Sequence, residues 1–234
     1  MRLRIQSAVL LLISCILAGP GLGRTIYVDQ SATGDATGAS WDDAHQVLQE
    51  ALDGAQPGDQ IWIAQGLYIP SKAAIQGASR TTCFAINDGL HVCGGFPTGG
   101  SAWSQRDPAL YQTILSGDLG QNDGPGFANT AENGYHVVTT HGGAVLDGLV
   151  ISGGNANALG LDTGIHGAGI FMDGPTPTLE VRRSMIRDNQ AVNGAGMACA
   201  GDGTIIITDS TFYHNVAAKG PGGLLIANPF SIPM

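Results

Sequence analysis

From about residue 145 the chain alternates apolar and polar positions in runs of three to five residues, each broken by Gly, Asn, Asp or Pro. That rhythm predicts short strands and turns, not helices. The runs also repeat. Gly167-Ala168-Gly169-Ile170 returns as Gly194-Ala195-Gly196-Met197 and then as Gly222-Gly223-Leu224, which sets Gly169, Gly196 and Gly223 at 27-residue intervals. Leu179-Glu180-Val181 matches Ile205-Ile206-Ile207, and Ser184-Met185-Ile186-Arg187-Asp188-Asn189 matches Ser210-Thr211-Phe212-Tyr213-His214-Asn215, each 26 residues on. A looser copy at 146–154 precedes the Ile186 copy by 35 residues, with the extra length in 155–166.

A period of 26 to 27 residues holding several short strands is too short for a propeller blade and lacks the spacing of leucine-rich repeats. It fits an all-β solenoid: each repeat makes one coil, successive strands stack in parallel about 4.8 Å apart, and inward side chains form a continuous column. The expected architecture is a right-handed parallel β-helix. Ile186 then rests on Phe212. Asn189 sits over Asn215 at a turn, where Asn satisfies turn amides and tolerates left-handed backbone. The repeated glycines take the turn positions with positive φ. A β-sandwich with accidental glycine matches is the weaker alternative, because two segments per period agree at matching offsets.

The first half reads differently. Ile26-Tyr27-Val28-Asp29 is a strand, and Ser40 is a good N-cap with Asp42 and Asp43 at the positive end of a helix. Ala44, Val47, Leu48, Ala51, Leu52 and Ala55 make an apolar stripe at helical spacing. This predicts an amphipathic helix over 41–54 whose stripe around Leu48 and Leu52 covers the open end of the column, since an uncovered first coil would show water an unpaired strand edge. A strand at 60–64 follows. Further strands are expected at 82–86, 90–93 and 135–138, with loops at 97–112 and 118–133. The organisation is therefore an opening module at 24–64, then coils at 65–234 with regular repeats from about 145.

Of 234 residues, 36 are Gly and only 12% are charged, which excludes coiled coils and charge-rich disordered tails; the glycines lack the triplet period of collagen. The formal charge of −9 is dispersed, so a nucleic-acid-binding face is not expected. Arg2 and Arg4 precede an apolar run of ten residues at 8–17, then Gly19 and Pro20. This reads as a secretory signal peptide over 1–23, because the run falls short of the roughly 20 residues that span a bilayer. Once the leader is removed, no integral membrane protein is expected. Leu12-Ile13-Ser14-Cys15 loosely resembles a lipobox, but apolar residues continue beyond Cys15. Export leaves Cys83, Cys93 and Cys199, an odd number, so at least one thiol is unpaired or pairs between chains. Cys83 and Cys93 flank the turn Asn87-Asp88-Gly89 and either bridge or stay as buried thiols.

On these motifs the chain resembles secreted β-helix proteins of the polymorphic outer-membrane protein type, on the pectin-lyase-like fold. Their repeats pair a Gly-Gly-Ala-Ile-like element with Phe-x-x-Asn. Here Phe212-Tyr213-His214-Asn215 matches the second, Ile186-Arg187-Asp188-Asn189 is a conservative version, and Gly167-Ala168-Gly169-Ile170 stands for the first. Ser40-Trp41-Asp42-Asp43-Ala44, Gly58-Asp59-Gln60-Ile61-Trp62 and Ile114-Leu115-Ser116-Gly117-Asp118 look like the family's opening segments. The resemblance implies an extracellular or cell-surface protein, outer-membrane associated in some members, that contacts extracellular polysaccharide or surface components. It specifies fold better than function, since this fold carries lyases, hydrolases and adhesins. The sequence stops as another coil begins at Gly222, and a truncated gene product is the expectation drawn from that.

No catalytic residue is assigned from the sequence. A polysaccharide lyase needs an Arg or Lys base beside acidic groups that hold Ca²⁺. Arg182, Arg183, Arg187, Asp188 and Asp209 are the candidates, with solvated outward positions as their simpler role. The Asn-Thr-Asp, Asp-Asp, Gly-His-Gly and Arg-Ile-Lys elements of the related hydrolases are absent in that form, Asp42-Asp43 falling in the helix. His136, His141, His166 and His214 lack metal-ligand spacing. Asp118, Asn122 and Asp123 form an oxygen-rich loop without the spacing of an EF-hand. No metal or cofactor is assigned, and Ca²⁺ is the one ion worth weighing. The expected function is a non-enzymatic adhesion or scaffold role with glycan contact; the alternative is a Ca²⁺-dependent, pectate-lyase-like enzyme.

Overall fold

The computed structural model describes residues 23–158, 163–174 and 178–227. The expected leader, apart from Gly23, and the tail from 228 lie outside these residues. Among them are nineteen short strands, β1 to β19 in chain order, in four sheets whose strand pairs are all parallel. The first sheet runs β1 (Thr25–Val28), β2 (Gln60–Ala64), β5 (Leu90–Phe96), β8 (Ala144–Asp147), β12 (Thr178–Arg182) and β16 (Thr204–Thr208). The second runs β3 (Gly66–Tyr68), β6 (Thr113–Ser116), β9 (Leu149–Ser152), β13 (Met185–Arg187) and β17 (Thr211–Tyr213). The third runs β4 (Phe84–Ile86), β7 (Val138–Thr140), β11 (Ile170–Asp173), β15 (Met197–Ala200) and β19 (Leu224–Ala227). A short fourth holds β10 (Asn155–Ala156), β14 (Gln190–Ala191) and β18 (Val216–Ala217). From β8 onward each coil visits the first, second, fourth and third sheets in turn, so the chain is a parallel β-solenoid.

Parallel register stacks like on like. Ile26, Ile61, Val92, Leu146 and Val181 lie rung upon rung and are all buried. Leu115, Ile151, Ile186 and Phe212 form a second column, with Ile186 directly paired to Phe212. Each fully buried aliphatic side chain of this kind contributes about 1.5–3 kcal/mol.

Asn189 and Asn215 also stack, but the left-handed residues are their predecessors: Asp188 has φ 54° and His214 has φ 51°. The asparagines act through their amides. Asn189 Oδ1 accepts from Gly154 N at 2.9 Å, and its Nδ2 donates to Asn215 Oδ1 at 3.0 Å. The glycine expectation holds for one glycine in each of the first two motifs and is corrected for the others. Positive φ falls on Gly167 and Gly194, at 61° and 57°, and not on Gly169, Gly196 or Gly223. Gly169 and Gly196 are required for space: a Cβ on Gly169 would meet Asn189 Nδ2 at 2.9 Å, and one on Gly196 would meet Phe212 Cδ1 at 2.8 Å.

The helix is shorter than the stripe predicts. It spans α1 (Leu48–Gly54), preceded by an extended Val47, and Ser40 caps a turn, its Oγ accepting from Asp43 N at 3.1 Å. The edge of β1 takes the intervening amides instead: His45 N donates to Tyr27 O and Asp29 N to His45 O, both at 2.9 Å. Val47 is consequently exposed, while Leu48, Ala51 and Leu52 are buried. Cys83, Cys93 and Cys199 are free, buried thiols. Burial pushes the Cys93 thiol up to about 12, so it is unreactive at neutral pH. No helix among the described residues is long and apolar enough to cross a membrane.

Candidate functional site

The turn after β6 throws out loop 118–133, which folds back onto the corner that follows β9. Gly117 N donates to Ser152 O and Gly134 N to Gly117 O, both at 2.8 Å, and Asn155 Nδ2 reaches Thr130 O at 2.7 Å. Between this loop and the left-handed corners of the next two coils lies a cleft of about 340 Å³, lined by Asp118, Asp123, Phe127, Arg187, Asp188 and His214 among others.

Asp188 is the hub of the cleft. One carboxylate oxygen pairs with Arg187 and the other lies 2.6 Å from His214 Nδ1, one coil on. Burial on its own would raise the Asp188 carboxyl, but the hydrogen bonds from His214 and Arg187 outweigh it and hold the group below the ordinary carboxylate range. An ionised carboxylate only accepts, so His214 Nδ1 carries the proton and Nε2 is left over. The His214 ring stacks on Phe127 at 4.9 Å with an interplanar angle of 21°. Together these groups offer a flat ring face beside a fixed set of charged hydrogen-bonding groups.

The other wall is acidic. Asp118 accepts from Asn122 N at 3.1 Å and from Asp123 N at 3.0 Å. Asp118, Asp123 and Glu132 bring carboxylate oxygens within 4.8 Å of one another. Burial raises the Asp123 carboxyl, the nearby Asp118 and Glu132 charges add to this, and the Asn133 hydrogen bond opposes it; the net shift is upward.

Of the five residues first considered for lyase chemistry, only Arg187 and Asp188 enter this cleft. Arg182 pairs with Glu180 near its own strand. Arg183 is committed to Asp147, which also binds Arg106 at 2.9 Å, and both the Asp147 and Arg106 side chains are 4% exposed. That triad fastens loop 97–112 to the coils. Asp209 lines a separate cavity with Arg183 and Pro108. Of the histidines, only His214 is in the cleft. His136 stacks on Phe171 at 4.9 Å, and burial pulls its pKa down to about 4. His141 pairs with Asp173, and His166 is buried.

Sequence reasoning missed Glu132, which carries no motif and reaches Asp118 only through the fold of the loop. It also missed an aromatic cluster on the outside of the first sheet. Tyr27 lies 4.9 Å from Trp41, Trp62 stacks 5.0 Å from Phe96, and Trp103 lies 5.2 Å from Trp62 with the Arg106 guanidinium 4.9 Å above it. Trp41 Nε1 donates to Ser101 O at 3.0 Å. The one available signal was the placement of all three tryptophans before residue 104. Compared with family models, with curated proteins and with solved structures, the chain matches none.

Proposed function

We propose that this chain is a secreted or cell-surface module of the polymorphic outer-membrane protein type, a right-handed parallel β-helix that serves as a glycan-contacting scaffold and does not turn glycan over. α1 is its N-terminal cap. In support, α1 packs against β1 and β4, the first strands of two sheets, and buries Leu48 and Leu52 there. The observation that carries the functional reading is the state of the cleft. Asp188 is shared between Arg187 and His214, so the guanidinium is placed to donate hydrogen bonds and not to take a proton. Phe127 supplies an apolar ring face against which a sugar ring packs. The decisive experiment is to offer the purified mature chain a glycan array and polygalacturonate with Ca²⁺. Saturable binding without unsaturated product is expected, weakened about tenfold, or near 1.4 kcal/mol, in Arg187→Ala. Steady product formation that chelation abolishes would overturn it.

A second reading is a Ca²⁺-assisted lyase acting on uronate polysaccharide. The observation favouring it is that Arg187 and the acidic loop share one cleft. The same product assay separates the two.

A further inference from the structure

Loop 118–133 brings three carboxylates together without a cation paired to them. Asp118, Asp123 and Glu132 crowd within 4.8 Å, and among the described residues no Lys or Arg forms an ion pair with any of them. The nearby cations are committed elsewhere. Arg187 holds Asp188; Arg80 donates to the carbonyls of Asn133 and Asn155, each at 2.7 Å, and lies over Tyr135, although its charge is felt at Glu132.

An acidic cluster by itself is ordinary, but here a buried amide meets it. Asn133 is 0% exposed, and its Nδ2 is spent on Asp123 Oδ2 at 2.8 Å and Gly153 O at 2.7 Å. Its Oδ1 is buried with no partner, as is Glu132 Oε1. Turning the amide over does not help, because Oδ1 would then face the carboxylate and the carbonyl. Because Oδ1 and Nδ2 share one amide carbon, Oδ1 lies within about 5 Å of Asp123 Oδ2. Buried oxygens without donors are costly, and an ion accounts for all of them together.

We propose that Asp118, Asp123, Glu132 and Asn133 Oδ1 bind a Ca²⁺ ion that fastens loop 118–133 to the corner after β9. The donors are all hard oxygens on an irregular loop with left-handed residues at Gln121, Phe127 and Asn129, at φ 52°, 63° and 63°. Such a set suits the variable six to eight ligands of Ca²⁺ better than the strict octahedron of Mg²⁺. The ion thereby sets the position of Phe127, which the same loop holds against His214. This site requires no glycan and is independent of the scaffold reading; the lyase reading draws on the same acidic loop.

The test uses the whole mature chain, stripped with chelator and titrated with Ca²⁺ alone by calorimetry, with the thermal midpoint followed in parallel. The expected result is one saturable site with a dissociation constant of about 10⁻⁴–10⁻³ M, as in extracellular Ca²⁺ modules, and a midpoint that rises with Ca²⁺. Asp118→Asn and Glu132→Gln should each weaken uptake about tenfold or more, as expected when a ligand charge is lost. Asp35→Asn, an exposed carboxylate elsewhere, should leave uptake unchanged. No heat and no midpoint shift up to about 10 mM Ca²⁺, well above that range, overturns the site. So does an equal response to Mg²⁺, or undiminished uptake in Glu132→Gln. Should a variant fail to fold, the wild-type midpoint with and without Ca²⁺ still decides. Ca²⁺ uptake with no glycan binding sinks the glycan reading and leaves this one standing.

Discussion

The coil of β12 to β15 and the coil of β16 to β19 share one pattern of apolar, Ser, Asn and Gly positions and pair in register, yet they fare differently. Leu179, Val181 and Ile186 are all 0% exposed, whereas Ile207, which sits on Val181, is 37% exposed, and Phe212, which sits on Ile186, is only partly buried. Asn189 is fully buried between Gly154 and Asn215; Asn215 has a described partner coil on one side only. In a solenoid, then, an inward residue becomes core only when both of its sides are covered, by a further rung or, as for Ile26 and Phe84 on the edge strands β1 and β4, by other packed chain. The stability of each coil is set as much by its neighbours as by its own sequence.

The largest expected effect comes from breaking the inner rung. Ile186→Ala should cost about 2–5 kcal/mol, the range for buried aliphatic truncations. Phe212→Ala should cost less than about 2 kcal/mol, because part of that ring already meets water. Urea midpoints of the two variants check this, and equal losses would erase the distinction between the coils. Next come the turn amides. Asn189→Ala strands a buried N–H on Gly154 and a buried carbonyl on Ile151, and should cost about 1–3 kcal/mol with faster hydrogen exchange at Gly154; Asn215→Ala should cost about half that.

The glycines make a similar pair. Gly169→Ala forces a methyl against Asn189 and Ile186, for a loss of about 1–3 kcal/mol by thermal melt. A Cβ on Gly223 meets nothing within 4 Å, so Gly223→Ala should stay within about 0.5 kcal/mol of wild type.

Of the side-chain links between the two coils, the Asp188–His214 pair has the smallest effect. The folded Asp188 carboxyl is depressed, so its stabilisation is fully present above the unfolded value near 4 and is lost as pH falls below that through the folded pKa. Wild type should therefore lose its advantage over Asp188→Asn only below about pH 4. Because the group is a third exposed, that advantage should be under about 1 kcal/mol. Melting curves of the two proteins that fall in parallel from pH 7 to pH 3 would show that the link contributes nothing.

The parallel stack was legible because its cause is local and repeated: an apolar alternation and a glycine that recur at one interval force like residues together. Ile186 over Phe212 and Asn189 over Asn215 follow directly from that. The helix start was not legible, since residues 41–47 suit a helix by propensity and are drawn off by the amides of β1, a contact no periodicity encodes. The glycine roles were half legible; the spacing marks positions without saying whether φ or room is the need. The cleft was invisible as a unit because Asp118, Glu132, Asp188 and His214 come from separate turns. The fate of Cys83 and Cys93 depended on where their strands lie, and flanking one turn did not decide it.

Trp41, Trp62 and Trp103 all belong to the aromatic cluster around Phe96, and they are the only tryptophans in the chain. Intrinsic indole emission therefore watches the front of the solenoid alone. Fraying of the coil at β16 to β19 would pass unseen by that signal, and any melt recorded by fluorescence would overstate how cooperatively this protein comes apart.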